Sequence, residues 1–270
     1  MKKATIIHHQ GFGDLFTNNS LCNYFSDKFD ELVIFVFDES RKNVVSEMYK
    51  HKKNIKCVIP KFIDNNIYNT SCIICMTSGN NPCRLETSFN NHKYIDYSEW
   101  KDYENIKIGC FKENYDKWEA YLTTNLENNI SFSHSFYLYE NLSLDIRNTF
   151  FSVCRNNELE SENYSHLIGK EYIVLHDDPN RNINIDRSRL PKNLFIYELN
   201  YKSKSMIDQI KILENAKELH FIDSSYSVLI YFLSLTNEKI KKIPKYFHFY
   251  ARKNDMIYKN PTPNNWNILT

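Results

Sequence analysis

Along this chain, short and nearly continuous apolar runs alternate with stretches whose apolar residues recur every three or four positions. Ala4 to His8 reads as a strand. It passes through Gln10-Gly11-Phe12-Gly13-Asp14 into Leu15 to Phe29, where Leu15, Cys22, Phe25 and Phe29 fall at helical spacing. Glu31 to Phe37 predicts a buried strand and Glu39 to Lys50 an amphipathic helix. Ile55 to Ile59 predicts a strand ended by Pro60, and Cys72 to Met76 is a further apolar run. The middle, from Tyr94 to Arg155, is aromatic-rich, with helical patterns at Tyr115 to Leu126 and Phe136 to Phe151. The polar stretch Asn156 to Lys170 reads as a loop between two lobes.

The alternation then restarts. Glu171 to Leu175 is a strand, His176 to Arg189 a polar loop, Leu194 to Leu199 a strand and Ser205 to Ala216 a helix. Leu219 to Ile222 is a strand, followed by Asp223-Ser224-Ser225 and a helix from Tyr226 to Leu235. Phe247 to Tyr250 is the last strand, and Asn264 to Leu269 a short tail. Strands that are apolar throughout and alternate with helices belong to parallel sheets covered on both faces. The pattern predicts an α/β fold of two Rossmann-like domains, 1–150 and 151–270, facing each other across a cleft. A site would lie in that cleft, beyond the carboxyl ends of the strands.

Composition narrows the function. The 270 residues are 42% hydrophobic and 25% charged, a core-forming balance. Lys+Arg 34 against Asp+Glu 33 leaves a net charge of +1, without the basic excess of a nucleic-acid binder. The longest apolar run, Val228 to Leu235, is far short of the ~18 residues of a membrane span. The start, MKKATIIHH, holds too short an apolar stretch for a signal peptide. A cytoplasmic protein without a transmembrane segment is expected. Cysteine is odd in number, at seven, and of these Cys72 and Cys75 have metal-like spacing without a second pair, so no metal site is expected. Asn, Lys and Ile are abundant in a way that suggests coding bias, which gives the five glycines and the scarce arginines more weight.

Four places carry candidate chemistry. At the first strand–helix junction, Gly11 and Gly13 allow close backbone approach, and the helix start offers free N–H groups to an anion. Asp14 there is either a plain cap or a general base. The helix dipole is expected to hold its carboxyl ionised, with a low pKa. After the Glu171 to Leu175 strand, His176 and Arg181 suit a diphosphate; an ordinary polar turn built on Pro179 and Asn180 is the plainer alternative. Asp223, Ser224 and Ser225 precede a helix and also suit phosphate, or serve simply as its cap. Tyr250 and Arg252 stand just past the last strand. No D-x-D, P-loop, GxSxG or HExxH motif occurs.

At these residues the chain resembles GT-B-type glycosyltransferases found in bacterial polysaccharide loci and large DNA viruses. The resemblance rests on IIHHQGFGDLFTNN (6–19), VLHDDPNR (174–181), ILENAKELHFIDSS (212–225) and FYAR…NNW (249–266). It spans nearly the whole chain, and the third block is its most specific part. The start is also similar to heptosyltransferases, whose first-loop Asp acts as base, a role that maps onto Asp14. The loop from His176 to Arg181 is loosely similar to the donor-binding His-x-Arg of fucosyltransferases, with a different spacing. The resemblance implies metal-independent transfer of a sugar from a nucleotide sugar to a glycan or other hydroxyl acceptor, with no further cofactor. The first half would take the acceptor, and the second the donor. A non-catalytic nucleotide- or carbohydrate-binding module is the opposing reading, and a Rossmann oxidoreductase the third.

Overall fold

A computed structural model describes residues 1–8, 11–61, 95–108, 132–199, 205–251 and 266–270. The expected strand at Cys72 to Met76, the helix at Tyr115 to Leu126 and the residue Arg252 lie outside these. Between Ser152 and Val153 the chain divides into two compact units, the second of which takes in the C-terminal strand.

The first unit is built on four parallel strands, β1 (Lys3–His8), β2 (Glu31–Phe35), β3 (Ile55–Val58) and β4 (Glu104–Ile108), in the order β3-β2-β1-β4. Ile6 pairs in register with Ile34 on one side and Ile106 on the other. On one face Ile7, Val33, Phe35 and Ile95 form a core closed by Phe37, Val58, Tyr97, Trp100 and Tyr103. Among the described residues its helices are α1 (Phe12–Thr17), α2 (Asn19–Ser26) and α3 (Glu39–Met48), then α4 (Phe132–Tyr139) and α5 (Ile146–Phe150).

Two expected long helices are broken. The run from Leu15 to Phe29 divides at Asn18, which donates both its backbone N–H and its side-chain amide to the Asp14 carbonyl. That from Phe136 to Phe151 divides at a turn whose Asn141 has a positive φ of 55°. Buried asparagines then lock the pieces. Asn19 and Asn23 each donate a side-chain amide to the Ser152 carbonyl, at 3.0 and 3.2 Å, and Asn23 also reaches Phe150. Asn19 accepts the Ser152 N–H in return.

The second unit carries β5 (Tyr172–His176), β6 (Phe195–Glu198), β7 (Glu218–Phe221), β8 (Lys245–His248) and β9 (Trp266–Leu269), all parallel, in the order β6-β5-β7-β8-β9. The two sheets are separate. The expected C-terminal tail is thus a fifth strand, fixed by its ladder with β8 more than by its own half-exposed side chains. The expected loop at 156–170 contains a helix, α6 (Asn157–Tyr164), capped by the Asn156 side chain. Its polar composition hid it, because what it buries is a carboxylate. Glu160 is wholly buried, and Arg155 bridges it to Glu214 of α7 (Ile210–Glu214). A buried carboxylate is tolerated only when paired in this way. Ile173, Leu175, Ile185, Leu190 and Ile222 form a core on one face. The remaining helices are α8 (Ser225–Thr236), with seven buried residues among its twelve, and α9 (Glu238–Lys242). Lys245 is wholly buried, and its ammonium donates to the carbonyls of Ile240 (2.6 Å), Ile243 (2.8 Å) and Lys241 (3.3 Å). Those carbonyls lie at the end of α9, where intrahelical donors run out, and that of Ile240 also accepts the Ile243 N–H at 3.2 Å. Burial pulls the Lys245 pKa down to about 8. Among the described residues, no helix is long and apolar enough to cross a membrane.

Candidate functional site

Both sheets reverse their strand order beside their first strand. Chain order steps outward from β1 to β2 and β3, then returns to place β4 on the other side. It steps likewise from β5 to β6, then returns to β7. Loops beyond the carboxyl ends at such a reversal diverge and leave a crevice, where open α/β sheets bind ligands. The Gly11–Asp14 junction follows β1. The loops that begin at His176 and Asp223 follow β5 and β7, the two strands that flank the second reversal. Among the described residues, all of the expected site residues except Tyr250 therefore belong to a strand–helix junction at a reversal.

In the first unit, Gly11 caps α1 with an extended backbone, and the Asp14 carboxylate turns back to accept the Gly11 N–H at 3.1 Å. Gly13 is the second residue of the helix. Glycine at position 11 leaves room for this carboxylate: a Cβ there would stand 2.7 Å from Asp14 Oδ2 and push it aside. Asp14 is half-buried, and its pKa is raised to about 6. This corrects the expected low value. Desolvation outweighs both the Gly11 N–H and the positive charge of Arg41, which pull the other way. A helix of six residues also provides a weaker dipole than the expected one of fifteen. The result is a carboxylate mostly ionised at neutral pH yet basic enough to take a proton. An anion would meet this negative charge, which weakens the expectation of a phosphate at Gly11 and Gly13.

Arg41 was not expected here. It lies in the first turn of α3, pairs with the cap residue Asp38, and sets its guanidinium 5.4 Å from the centre of the exposed Phe12 ring. The available signal was topological. With β1 and β2 neighbouring and parallel, the loops that follow them share one edge.

In the second unit, the Ile222 N–H donates to the His176 carbonyl at 3.2 Å and ties the two loops together. His176 is buried, with its ring 4.6 Å from that of Tyr226 in α8. Burial lowers its pKa to about 4, so it is neutral at physiological pH. Arg181 closes a tight turn. Asp178 and Ile183 exchange two backbone hydrogen bonds, Asn182 takes the left-handed conformation, and Arg181 Nε donates to Asp178 at 2.5 Å. Its side chain remains about half exposed. Asp177, which the expectation passed over, accepts from Ile185 N–H and Arg187.

Ser224 caps α8 reciprocally: its Oγ accepts the Ser227 N–H at 3.4 Å, and its own N–H donates to Ser227 Oγ at 3.1 Å. The Ser225 hydroxyl lies 3.5 Å from the Met206 sulfur. Asp223 is half-buried directly before the cap. Tyr250 lies just past β8. Its hydroxyl accepts the Asp186 N–H at 2.9 Å, and Arg189 covers its ring at 4.3 Å. Among the described residues, no group of three or more His, Cys, Asp or Glu side chains is placed to hold a metal ion.

The architecture defined by these two parallel sheets is α/β, and it has a solved counterpart. Over its whole length the chain is similar to the crystal structure of a glycosyl transferase family 9 protein from Veillonella parvula. The TM-score is 0.51 at 8% identity, and the match covers 100% of this chain and 87% of the other. At that identity the likeness is one of fold. No family model and no curated protein sequence matches the chain.

Proposed function

We propose that this protein is a glycosyltransferase of GT-B type, moving a sugar from a nucleotide-sugar donor to a hydroxyl acceptor without a metal. The observation that carries the reading is that each unit places its own chemistry at its strand-order reversal. The first unit offers a basic carboxylate, Asp14, at its carboxyl edge. The second offers neutral helix-start donors at Ser224 and Ser225 beside the Arg181 loop. The likeness to a glycosyl transferase fold supports it.

In this mechanism the second unit holds the donor. The backbone N–H groups and hydroxyls at the start of α8, with the half-exposed Arg181 guanidinium, take up charge as the nucleoside diphosphate departs. Asp14 removes the proton of the acceptor hydroxyl as the new glycosidic bond forms. His176, buried and neutral, supports the loop through Tyr226 and is not a cationic contact. The test is a thermal-shift panel of UDP-, GDP-, ADP- and CMP-sugars, followed by assay for released nucleotide. A donor at a hundredfold excess over Kd raises stability by about 2.7 kcal/mol. No shift with any member of the panel would overturn the reading. A shift without nucleotide release across a broad set of acceptors would favour a non-catalytic binding module.

A further inference from the structure

Four polar side chains on β7, on β8 and just past β8 form a continuous chain across the second sheet. Glu218 and His220 are two residues apart on β7, and so share one face, as do Tyr246 and His248 on β8. His220 Nε2 lies 3.0 Å from Glu218 Oε2, His220 Nδ1 is 3.0 Å from His248 Nε2, and His248 Nδ1 is 3.0 Å from the Tyr250 hydroxyl. That hydroxyl also accepts the Asp186 N–H. Both imidazoles are buried, at 2% and 0% exposure, and the His220 ring stacks on Tyr246 with centroids 4.6 Å apart.

We propose that these residues form one polarised relay in which Glu218, as the terminal acceptor, fixes both imidazoles as Nε2–H tautomers and turns the Tyr250 O–H inward. The direction follows from donor and acceptor counts. A neutral imidazole has one N–H and one acceptor nitrogen, and a carboxylate can only accept. His220 must therefore give its Nε2 proton to Glu218, which leaves Nδ1 to accept from His248 Nε2–H. His248 Nδ1 then accepts the Tyr250 O–H. Neutrality of both rings is supported by burial, which lowers each pKa to about 4; the nearby Arg187 and Arg189 push His248 in the same direction. Glu218 and His220 are thus positioning residues, acting on Tyr250 through His248.

The consequence for recognition rests on the donor-binding reading above. With its proton committed inward, Tyr250 can offer a ligand a lone pair and no hydrogen. It selects an O–H or N–H group, such as a nucleoside hydroxyl or base, and not a phosphate oxygen.

Two-bond 1H–15N correlation spectra of the full chain, labelled at histidine, read the tautomers directly. At pH 7 both rings are expected in the Nε2–H form, and either one as Nδ1–H or imidazolium overturns the relay. Glu218→Gln can both donate and accept, so it should admit the second tautomer at His220 and also at His248, which Glu218 does not touch. An unchanged His248 signal in a folded variant overturns the role of Glu218. Should that variant fail to fold, the wild-type spectrum alone decides. Calorimetric titration of Tyr250→Phe should show UDP, GDP, ADP or CDP binding several-fold weaker, with inorganic pyrophosphate unchanged. Equal losses would overturn the acceptor role. If no nucleotide binds the wild type, the donor-binding reading fails, and the relay is judged on the spectra.

Discussion

The junctions that follow β1 and β7 are built alike, strand to short loop to helix, yet their helix starts are electrically opposite. The α1 start is closed by its own carboxylate, folded back onto the Gly11 N–H. The α8 start is closed by Ser224 and Ser227, which exchange hydrogen bonds without net charge. A capping group has to satisfy free N–H donors, and either chemistry does so. What the choice of cap decides is what else the helix start can do. A carboxylate in a partly desolvated place becomes a base and repels anions. A hydroxyl leaves the positive end of the dipole available to a negative ligand.

The strongest way to break the contrast is to remove the charge from the first junction. Asp14→Asn keeps the size and the acceptor for Gly11 N–H, so the fold and donor binding should persist. Turnover should fall by about 10²–10⁴, the usual share of a general base. In the wild type, kcat should rise with pH through about 6 as Asp14 ionises. Full turnover in the variant would leave Asp14 as a cap and nothing more.

The converse change makes the second junction like the first. Ser224→Asp is a good cap, so the fold should hold while nucleoside diphosphate binding weakens by about 1.5–3 kcal/mol, the scale of a hydrogen bond involving a charged group. Arg181→Ala should cost a similar amount. Unchanged affinity in either folded variant, measured by calorimetry, would remove that residue from the anion site.

Stability sharpens the same comparison. The Asp14 pKa rises from 3.8 to about 6 on folding, so the folded state binds the proton more tightly than the unfolded one. The wild type should therefore lose stability as pH rises from about 4 to about 6, and the loss should persist above that. Asp14→Asn removes the loss. The variant should be more stable by about 1–2 kcal/mol at pH 7, after discounting for the part of the group still in water, and by nothing at pH 3. Paired denaturant melts at the two pH values check this; a variant less stable at pH 7 would mean that the carboxylate is a net stabilising cap. The smallest effect belongs to Gly11→Ala. The added methyl group would stand 2.7 Å from Asp14 Oδ2, displace the carboxylate and cost about 1 kcal/mol of positioning in kcat, with little change in melting temperature.

How much was legible in the sequence divides along physical lines. Strands β1, β2, β5 and β7 were readable because each holds a nearly continuous buried run, and the loops with Asp14, Arg181 and Ser224 followed from their places after β1, β5 and β7. What escaped was set by partners distant in sequence. Glu104–Ile108 opens with two exposed residues, buries only Ile106 and Ile108, and becomes β4 through its ladder with β1. Helix α6 buries a glutamate that only Arg155 makes tolerable. Nothing in the sequence marked the side chains of Asn19 and Asn23 as the ones that hold the Phe150–Ser152 backbone, because their partners lie more than a hundred residues away. The Asp14 pKa was misjudged because local capping was visible and desolvation was not. Glu218 and His220 showed a signal, their two-residue spacing on one strand face, but their partner His248 lies on the next strand.

Lys245 turns one buried contact into a built-in reporter. Its amine, with a pKa near 8, is intrinsically more nucleophilic at neutral pH than an ordinary surface lysine, yet it is wholly enclosed and bonded to three carbonyls. An acylating reagent should label the exposed lysines within seconds and reach Lys245 only when the end of α9 opens. Mass spectrometry of that single site would then time the opening of the second unit, with and without a nucleotide bound.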